Sequence, residues 1–274
     1  MAILFENFGL AGGYFLGVLS IILRYALIAG LAYFIFYHWK KASFRRLKIQ
    51  QREVSKKMIQ NEIFHSIYAA FIIVFMVIGI YFMRLNGWTQ IYLDIHEYGI
   101  AWLFISFFLM TLIHDTYFYW THRLMHHPKL FTLVHGVHHQ SNNPTPWAAL
   151  SFHPLETIVE FIIFPIILIF LPVHPIVVFI YSFWLLAFNV LGHLGYEIYP
   201  KWFIDHPILG WLNSSTHHNM HHRYSNCNYG FYYNFWDKWM GTNHKKYYST
   251  FEKIANIKQK NNETAHYSPK LSTK

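Results

Sequence analysis

Residues Ile100–His127 read IAWLFISFFLMTLIHDTYFYWTHRLMHH. The stretch opens as an apolar run and closes on His122-Arg-Leu-Met-His126, with His127 beside it. An apolar helix of about 20 residues spans the hydrocarbon of a bilayer. A helix also brings residues i and i+4 onto one face. The stretch therefore predicts a helix that crosses a membrane and presents two imidazoles at its end. Neutral imidazole ligates iron, copper, nickel and zinc.

Two more clusters follow, His135-Gly-Val-His138-His139 and His217-His218-Asn-Met-His221-His222. By the same face rule, each H-x-x-H-H is expected to aim three imidazoles at one point. His193 ends the last apolar run, with Asn189 one helical turn before it and Glu197 one turn after it. Both are candidates to reach a metal directly or through water. His114, His127, His153 and His217 lie near the clusters and are candidates to orient ligands. His38, His65, His96, His174, His206, His244 and His266 stand alone and read as interfacial or surface residues. The candidate ligands are thus His122, His126, His135, His138, His139, His193, His218, His221 and His222. A single iron or zinc takes about four to six ligands, so this set predicts two metals. Soluble di-iron bundles build their site from Glu plus Glu-x-x-His pairs, whereas the three clusters here contain no glutamate.

The rest of the chain fits a polytopic membrane protein. Of 274 residues, 54% are apolar, 20% aromatic and 13% charged. Soluble domains carry about 25% charged residues. Further apolar runs cover Leu10–Trp39, interrupted by Arg24, and Ile63–Met83. Leu155–Leu171 and Ile176–Leu191 are a pair joined by Pro172-Val173-His174-Pro175, read as spans or as a hairpin dipping deeply into the bilayer. The basic stretch Lys40–Lys57 is expected on the cytoplasmic membrane surface, partly as helical pieces. Counting crossings then puts the N-terminus and the Arg84–Tyr98 loop outside, and every histidine cluster and the C-terminus inside. The net charge of +9 is assigned to this orientation and to anionic headgroups, and no nucleic-acid partner is expected. The one cysteine, Cys227, excludes an intrachain disulfide, and no cleavable signal peptide is expected. The fold class is all-α, with four to five membrane-embedded helices and a cytosolic helical cap. Residues 1–257 are expected to form one domain and 258–274 a disordered polar tail.

The motifs resemble the membrane fatty acid hydroxylase and sterol desaturase superfamily, from about Gln50 to Thr242. Asp115 to His126 is similar to that family's first histidine box, His135 to His139 to its second, and His218 to His222 to its third. Asn228-Tyr-Gly230, Trp236-Asp237 and Gly241-Thr242 continue the likeness. Pro144-Thr-Pro146 and Phe152-His-Pro154 look most like the sterol C-5 desaturases. The resemblance implies two iron ions held by the histidines above, with His193 at a further ligand position and Asp115 as a support or additional ligand. It also implies O2-dependent desaturation or hydroxylation of a membrane lipid, by a sterol desaturase-like enzyme or, as the alternative, a hydroxylase of a fatty-acyl, ether-lipid or isoprenoid substrate. At two positions the chain departs: Glu197 stands where fatty acid hydroxylases carry a histidine, and Leu150 where lathosterol oxidases carry one.

Breaking an unactivated C–H bond needs an oxidant that side chains alone do not supply. Each turnover also needs two electrons. The chain has no dinucleotide fingerprint and no haem-attachment motif, so an external carrier is expected, a b-type cytochrome or a ferredoxin system. A metal transporter is the competing class. Transporters place their ligands near the bilayer midplane, whereas these clusters fall at or beyond span ends. The expected location is the plasma membrane of a bacterium or the endoplasmic reticulum of a eukaryote.

Overall fold

The computed structural model describes residues 2–266. Helix α1, Ala2–Tyr33, breaks its dihedral pattern once at Gly9 (φ +67°) and continues as a wide turn over Phe34–Trp39. Helix α2 is Lys56–Leu85, started by the Ser55 hydroxyl accepting from Met58 N–H. Helix α3 is Ile100–Met125. Helices α4 (Pro154–Phe161) and α5 (Ile163–Phe170) follow, then α6 (Pro175–Gly192). The chain ends in α7 (Ser215–Tyr224) and α8 (Tyr247–His266). Among the described residues there is no strand, only isolated bridges.

Four segments are long and apolar enough to cross a bilayer: Ile3–Trp39, Lys56–Leu85, Ile100–Met125 and Pro175–Gly192. Their outward faces carry large bare side chains. On α1 these are Phe15, Leu19, Leu23, Leu27 and Leu31, an i, i+4 stripe with each residue about half exposed or more. Such a stripe is costly in water and natural against acyl chains. The inward faces carry smaller groups. Ser66, Ala69, Ala70 and Val74 of α2 are buried, and α1 sets Val18 and Ile21 against Ala70 and Val74. Small residues let helix backbones approach closely in lipid.

The α4–α5 break is explained by Pro165. Proline lacks an N–H and crowds the carbonyl four residues earlier, here Phe161, the last residue of α4. The broken helix nonetheless runs to the far side. Gln90 N–H donates to Leu168 O (2.7 Å), Val173 N–H to Gln90 O (3.2 Å), and Trp102 Nε1 to Pro172 O (2.9 Å). The Pro172–Pro175 turn is thereby bound to the Arg84–Tyr98 loop. The tip of this hairpin is therefore level with the α2–α3 loop, and α4 and α5 form its broken first arm.

The opposite end is closed by the cap. Phe203, Met220, Tyr247, Phe251 and Ala255 form its buried core. The basic stretch joins it: Lys41–Phe44 and Arg45–Leu47 are helical turns, and buried Leu47 packs with Leu194, Tyr196 and Ile254. Helix α8 extends to His266, so it overlaps the start of the 258–274 segment expected as a tail. Residues 267–274 lie outside the described ones.

Candidate metal centre

All nine candidate histidines converge where α3, α6 and α7 meet the cap. They form two groups, His122, His126, His135, His139 and His221 in one and His138, His193, His218 and His222 in the other. In each group the candidate ligand atoms lie within 4.8 Å of one another. The groups abut: the His139 and His222 rings are 4.9 Å apart between centroids, and His135 and His138 are 5.2 Å apart.

The grouping corrects the expectation that each H-x-x-H-H aims at one point. His135 and His139 go to the first group, but His138 goes to the second. His218 and His222 go to the second, but His221 goes to the first. The cause is helical geometry. At 3.6 residues per turn, i+3 and i+4 fall on opposite sides of residue i and diverge by about 100°. Every i, i+4 pair shares a group, His122 with His126 included, and the i+3 histidine crosses to the neighbour. Each motif therefore ties the two groups together.

Backbone carbonyls fix the tautomers. Nδ1–H donates to Tyr229 O from His122 (2.8 Å), to Ser151 O from His138 (3.2 Å), to Asn189 O from His193 (2.8 Å) and to Cys227 O from His221 (2.8 Å). His135 Nδ1 contacts the Glu156 carboxylate at 2.7 Å. A carbonyl only accepts, so these rings carry hydrogen on Nδ1 and turn a bare Nε2 inward. The bare nitrogens crowd. His122 Nε2 lies 3.0 Å from His135 Nε2, and His193 Nε2 lies 3.0 Å from His218 Nε2 and 3.3 Å from His138 Nε2. His126 Nε2 is buried without a partner. Two lone pairs at such distances repel unless a cation lies between them. Nitrogens each about 2.0–2.1 Å from a metal would be about 2.9 Å apart at a right angle and about 3.3 Å apart at a tetrahedral angle. The donor set fits two metal ions. Burial also holds the cap histidines in the neutral, ligating form: His139 is pushed down to about 3 and His193 to about 4. For His218, His221 and His222 burial, with repulsion among neighbouring imidazoles added, pushes the pKa well below the usual range.

The seven other candidate side chains lie in neither group. His114 Nδ1 pairs with the Tyr181 hydroxyl at 2.7 Å, away from the ligands. Asn189 Nδ2 donates to Ala149 O (2.6 Å), which packs α6 on the 146–150 turn. Glu197 accepts from Tyr199 N–H (2.9 Å) and Thr216 N–H (3.0 Å), which fixes the start of α7. His217 Nε2 sits between Asn243 Oδ1 (3.2 Å) and Asp237 Oδ2 (3.4 Å). Asp115 Oδ1 accepts from Tyr232 and Tyr233 N–H, at 2.6 and 3.1 Å. His127 and His153 each cap the helix that begins at the following proline, accepting from Lys129 and Leu155 N–H at 3.3 Å. The same His-Pro device starts α6 at His174-Pro175. Side-chain acceptors suit the cap position, and proline suits the next one.

Glu156 was not among the candidates. Its signal is that it is one of two carboxylates, with Glu160, in the apolar run Leu155–Leu171, where an unpaired charge is costly. Asp237 carries a second supporting role. Burial works to raise its pKa, but His217, Thr242 and the Gly230 N–H hold the carboxyl below its usual range. It thereby fixes the 228–242 loop whose Tyr229 carbonyl orients His122. Gly195 closes the site's other flank. Its φ is +75°, and a Cβ there would come within 2.4 Å of Tyr37 Oη.

An apolar cavity of about 450 Å³ adjoins both groups. Phe118, Phe152 and Asn189 line it. The Phe118 ring is 4.8 Å from His122, the Phe152 ring is 5.2 Å from His138, and Asn189 O holds His193. The volume lies in the range of small-molecule sites, about 300–1,000 Å³.

Residues 107–242, the segment that holds every ligand candidate, match the fatty acid hydroxylase family. The chain is 32% identical over 218 residues to a Delta(7)-sterol 5(6)-desaturase of Gibberella zeae, covering 80% of this chain and 64% of the relative. It is 29% identical over 213 residues to a Delta(7)-sterol 5(6)-desaturase of Aspergillus fumigatus, covering 72% of this chain and 66% of the relative. With the human lathosterol oxidase it shares 26% identity over 188 residues, covering 67% of this chain and 60% of the relative. The chain thus spans somewhat less than two thirds of these relatives' length. No solved structure matches it. The protein belongs to the membrane fatty acid hydroxylase and sterol desaturase superfamily. Within it, the chain is sterol desaturase-like.

Proposed function

We propose that this protein is a di-iron membrane oxidase that uses O2 and an external electron donor to desaturate a sterol-like lipid. The observation that carries the reading is the pair of buried histidine groups lying against the Phe118, Phe152 and Asn189 wall of an apolar cavity. His122, His126, His135, His139 and His221 would hold one iron, and His138, His193, His218 and His222 the other. Two irons, when bound, supply the reduction of O2 that an unactivated C–H bond requires. The chain's own residues do the rest. Glu156 and the carbonyls of Tyr229, Ser151, Asn189 and Cys227 hold the second nitrogen of His135, His122, His138, His193 and His221 respectively, and so the orientation of those five rings. Phe118, Phe152 and Phe231 keep water from the cavity floor, which protects an oxidising site from quenching. The cavity walls hold an apolar body against that floor.

The same reading assigns the histidine side and the C-terminus to the cytoplasm, where Lys40–Lys57 obeys the positive-inside rule. There the cap is within reach of an acidic b-type cytochrome or ferredoxin. The test is reconstituted protein with reductant, carrier, ¹⁸O2 and candidate sterols and acyl lipids. An unlabelled alkene is expected. An ¹⁸O-labelled alcohol would replace desaturation by hydroxylation, and turnover of water-soluble substrates alone would overturn the lipid reading.

A further inference from the structure

Arg24 is a cation in the middle of a membrane span. Such residues are expensive in lipid and mark functional positions. Its surroundings do not pay the cost by ordinary pairing. No carboxylate oxygen lies within 4.0 Å of it among the described residues. Nη1 donates to Ser182 Oγ (2.6 Å), and Ser182 in turn donates to Phe179 O (2.7 Å), so the serine is fixed as an acceptor. The guanidinium carbon lies 5.1 Å from the Phe183 ring centroid. Nε is buried without any partner. Both Arg24 and Ser182 line the cavity, among walls that are otherwise mostly apolar.

Depth is set by α6, which lines the cavity from Pro175 to Asn189. At the usual rise per residue this is about 21 Å of helix. Asn189 marks the metal end. Ser182, seven residues earlier, lies roughly 10 Å above it. The cavity therefore has a mostly apolar metal end, with Glu160 and Asn189 among its few polar groups, and a clamped, donor-only group, Arg24, at mid-depth; Arg84 lines it from the last turn of α2, beside the α2–α3 loop. Guanidinium donates and never accepts. What fits is an acceptor oxygen on an otherwise apolar molecule.

We propose that Arg24, positioned by Ser182, binds the polar oxygen of the lipid substrate and so sets which carbon reaches the metals. The inference rests on the lipid-oxidase reading and adds the anchor and its spacing. The oxygen belongs to a sterol hydroxyl or to a fatty-acyl carboxylate, and the attacked carbon lies at least roughly 10 Å from it, which for a 3-hydroxysterol is beyond carbons 5 and 6. Glu160 also lines the cavity. It stands one turn from Glu156, close to the metal end, and is not the anchor.

The experiment measures equilibrium binding of a tritiated 3β-hydroxy-Δ7-sterol and of tritiated stearate to the purified, detergent-solubilised protein, with no turnover required. Wild type should capture one of the two, which identifies the source of the oxygen. Arg24→Met should weaken that binding roughly ten- to a hundredfold, the usual effect of losing a hydrogen bond to a charged group. Arg24→Lys should retain part of the affinity, Ser182→Ala should lose less than Arg24→Met, and Glu160→Gln should change little. Lysine and alanine variants serve if the methionine variant does not fold, as judged by thermal midpoint and metal content. Equal binding by wild type and the Arg24 variants would overturn the anchor, as would loss confined to Glu160→Gln or capture of neither probe. Product analysis gives a second check, because oxidation beside the oxygen-bearing carbon contradicts the spacing. A wild type that oxidises lipid while binding is indifferent to Arg24 sinks the anchor alone. A wild type that binds through Arg24 but oxidises no lipid sinks the oxidase reading alone.

Discussion

At the residue scale, the site depends on which nitrogen each imidazole turns inward. Substituting His221 or His222 removes a nitrogen from the first or the second group respectively. His221→Ala and His222→Ala are each expected to abolish turnover and to lower metal content, whereas His38→Ala leaves both unchanged. Metal analysis beside activity checks this, and equal behaviour of all three would contradict the grouping. Glu156→Ala is expected to weaken metal retention about 10- to 100-fold, because an oriented ligand loses its partner. Glu156→Gln, which keeps an acceptor oxygen for His135 Nδ1, should retain more. Titration against a competing chelator measures both. The sequence revealed the nine histidines because spacing on a helix is a local property. It did not reveal their sorting, which depends on helix phase, nor Glu156, whose partner His135 lies 21 positions earlier. His127 and His153 were readable in another way: a histidine directly before proline at a helix start is a cap.

Elements decide where those residues are held. The long spans were legible because lipid-facing helices are apolar over continuous stretches. The α4–α5 break was written in Pro165, but its depth depends on hydrogen bonds to the distant Gln90 and Trp102. Gly195 illustrates how tightly the elements meet beside His193. A Gly195→Ala substitution forces a side chain onto positive φ and into Tyr37. It should destabilise the protein by about 1–3 kcal/mol, read as a lowered thermal midpoint in detergent. An unchanged midpoint would show that Tyr37 yields freely. The topology has its own test. Single cysteines at exposed Asn86 and Ser249, with Cys227→Ser, should be labelled by an impermeant thiol reagent from opposite sides. The Cys227 side chain is dispensable here because its backbone carbonyl is what holds His221. Labelling of both sites from one side would refute the crossing count.

The whole molecule joins a lipid-exposed helical bundle, an apolar cavity and a buried histidine centre under one cap. None of the three is informative alone. Apolar spans occur in every polytopic protein, and histidine clusters occur in transporters and in storage proteins. Their continuity, with the cavity walls touching His122, His138 and His193, points to oxidation of a lipid held beside metals. A transporter would instead need its ligands near the midplane, between broken helices. The central claim is that the two histidine groups hold two irons. The direct measurement is elemental analysis of active protein purified without chelators, with protein quantified by amino-acid analysis. The account predicts two irons per chain, falling together with activity when either group is disrupted. A reproducible value of one metal or fewer per chain in a fully active preparation would contradict it.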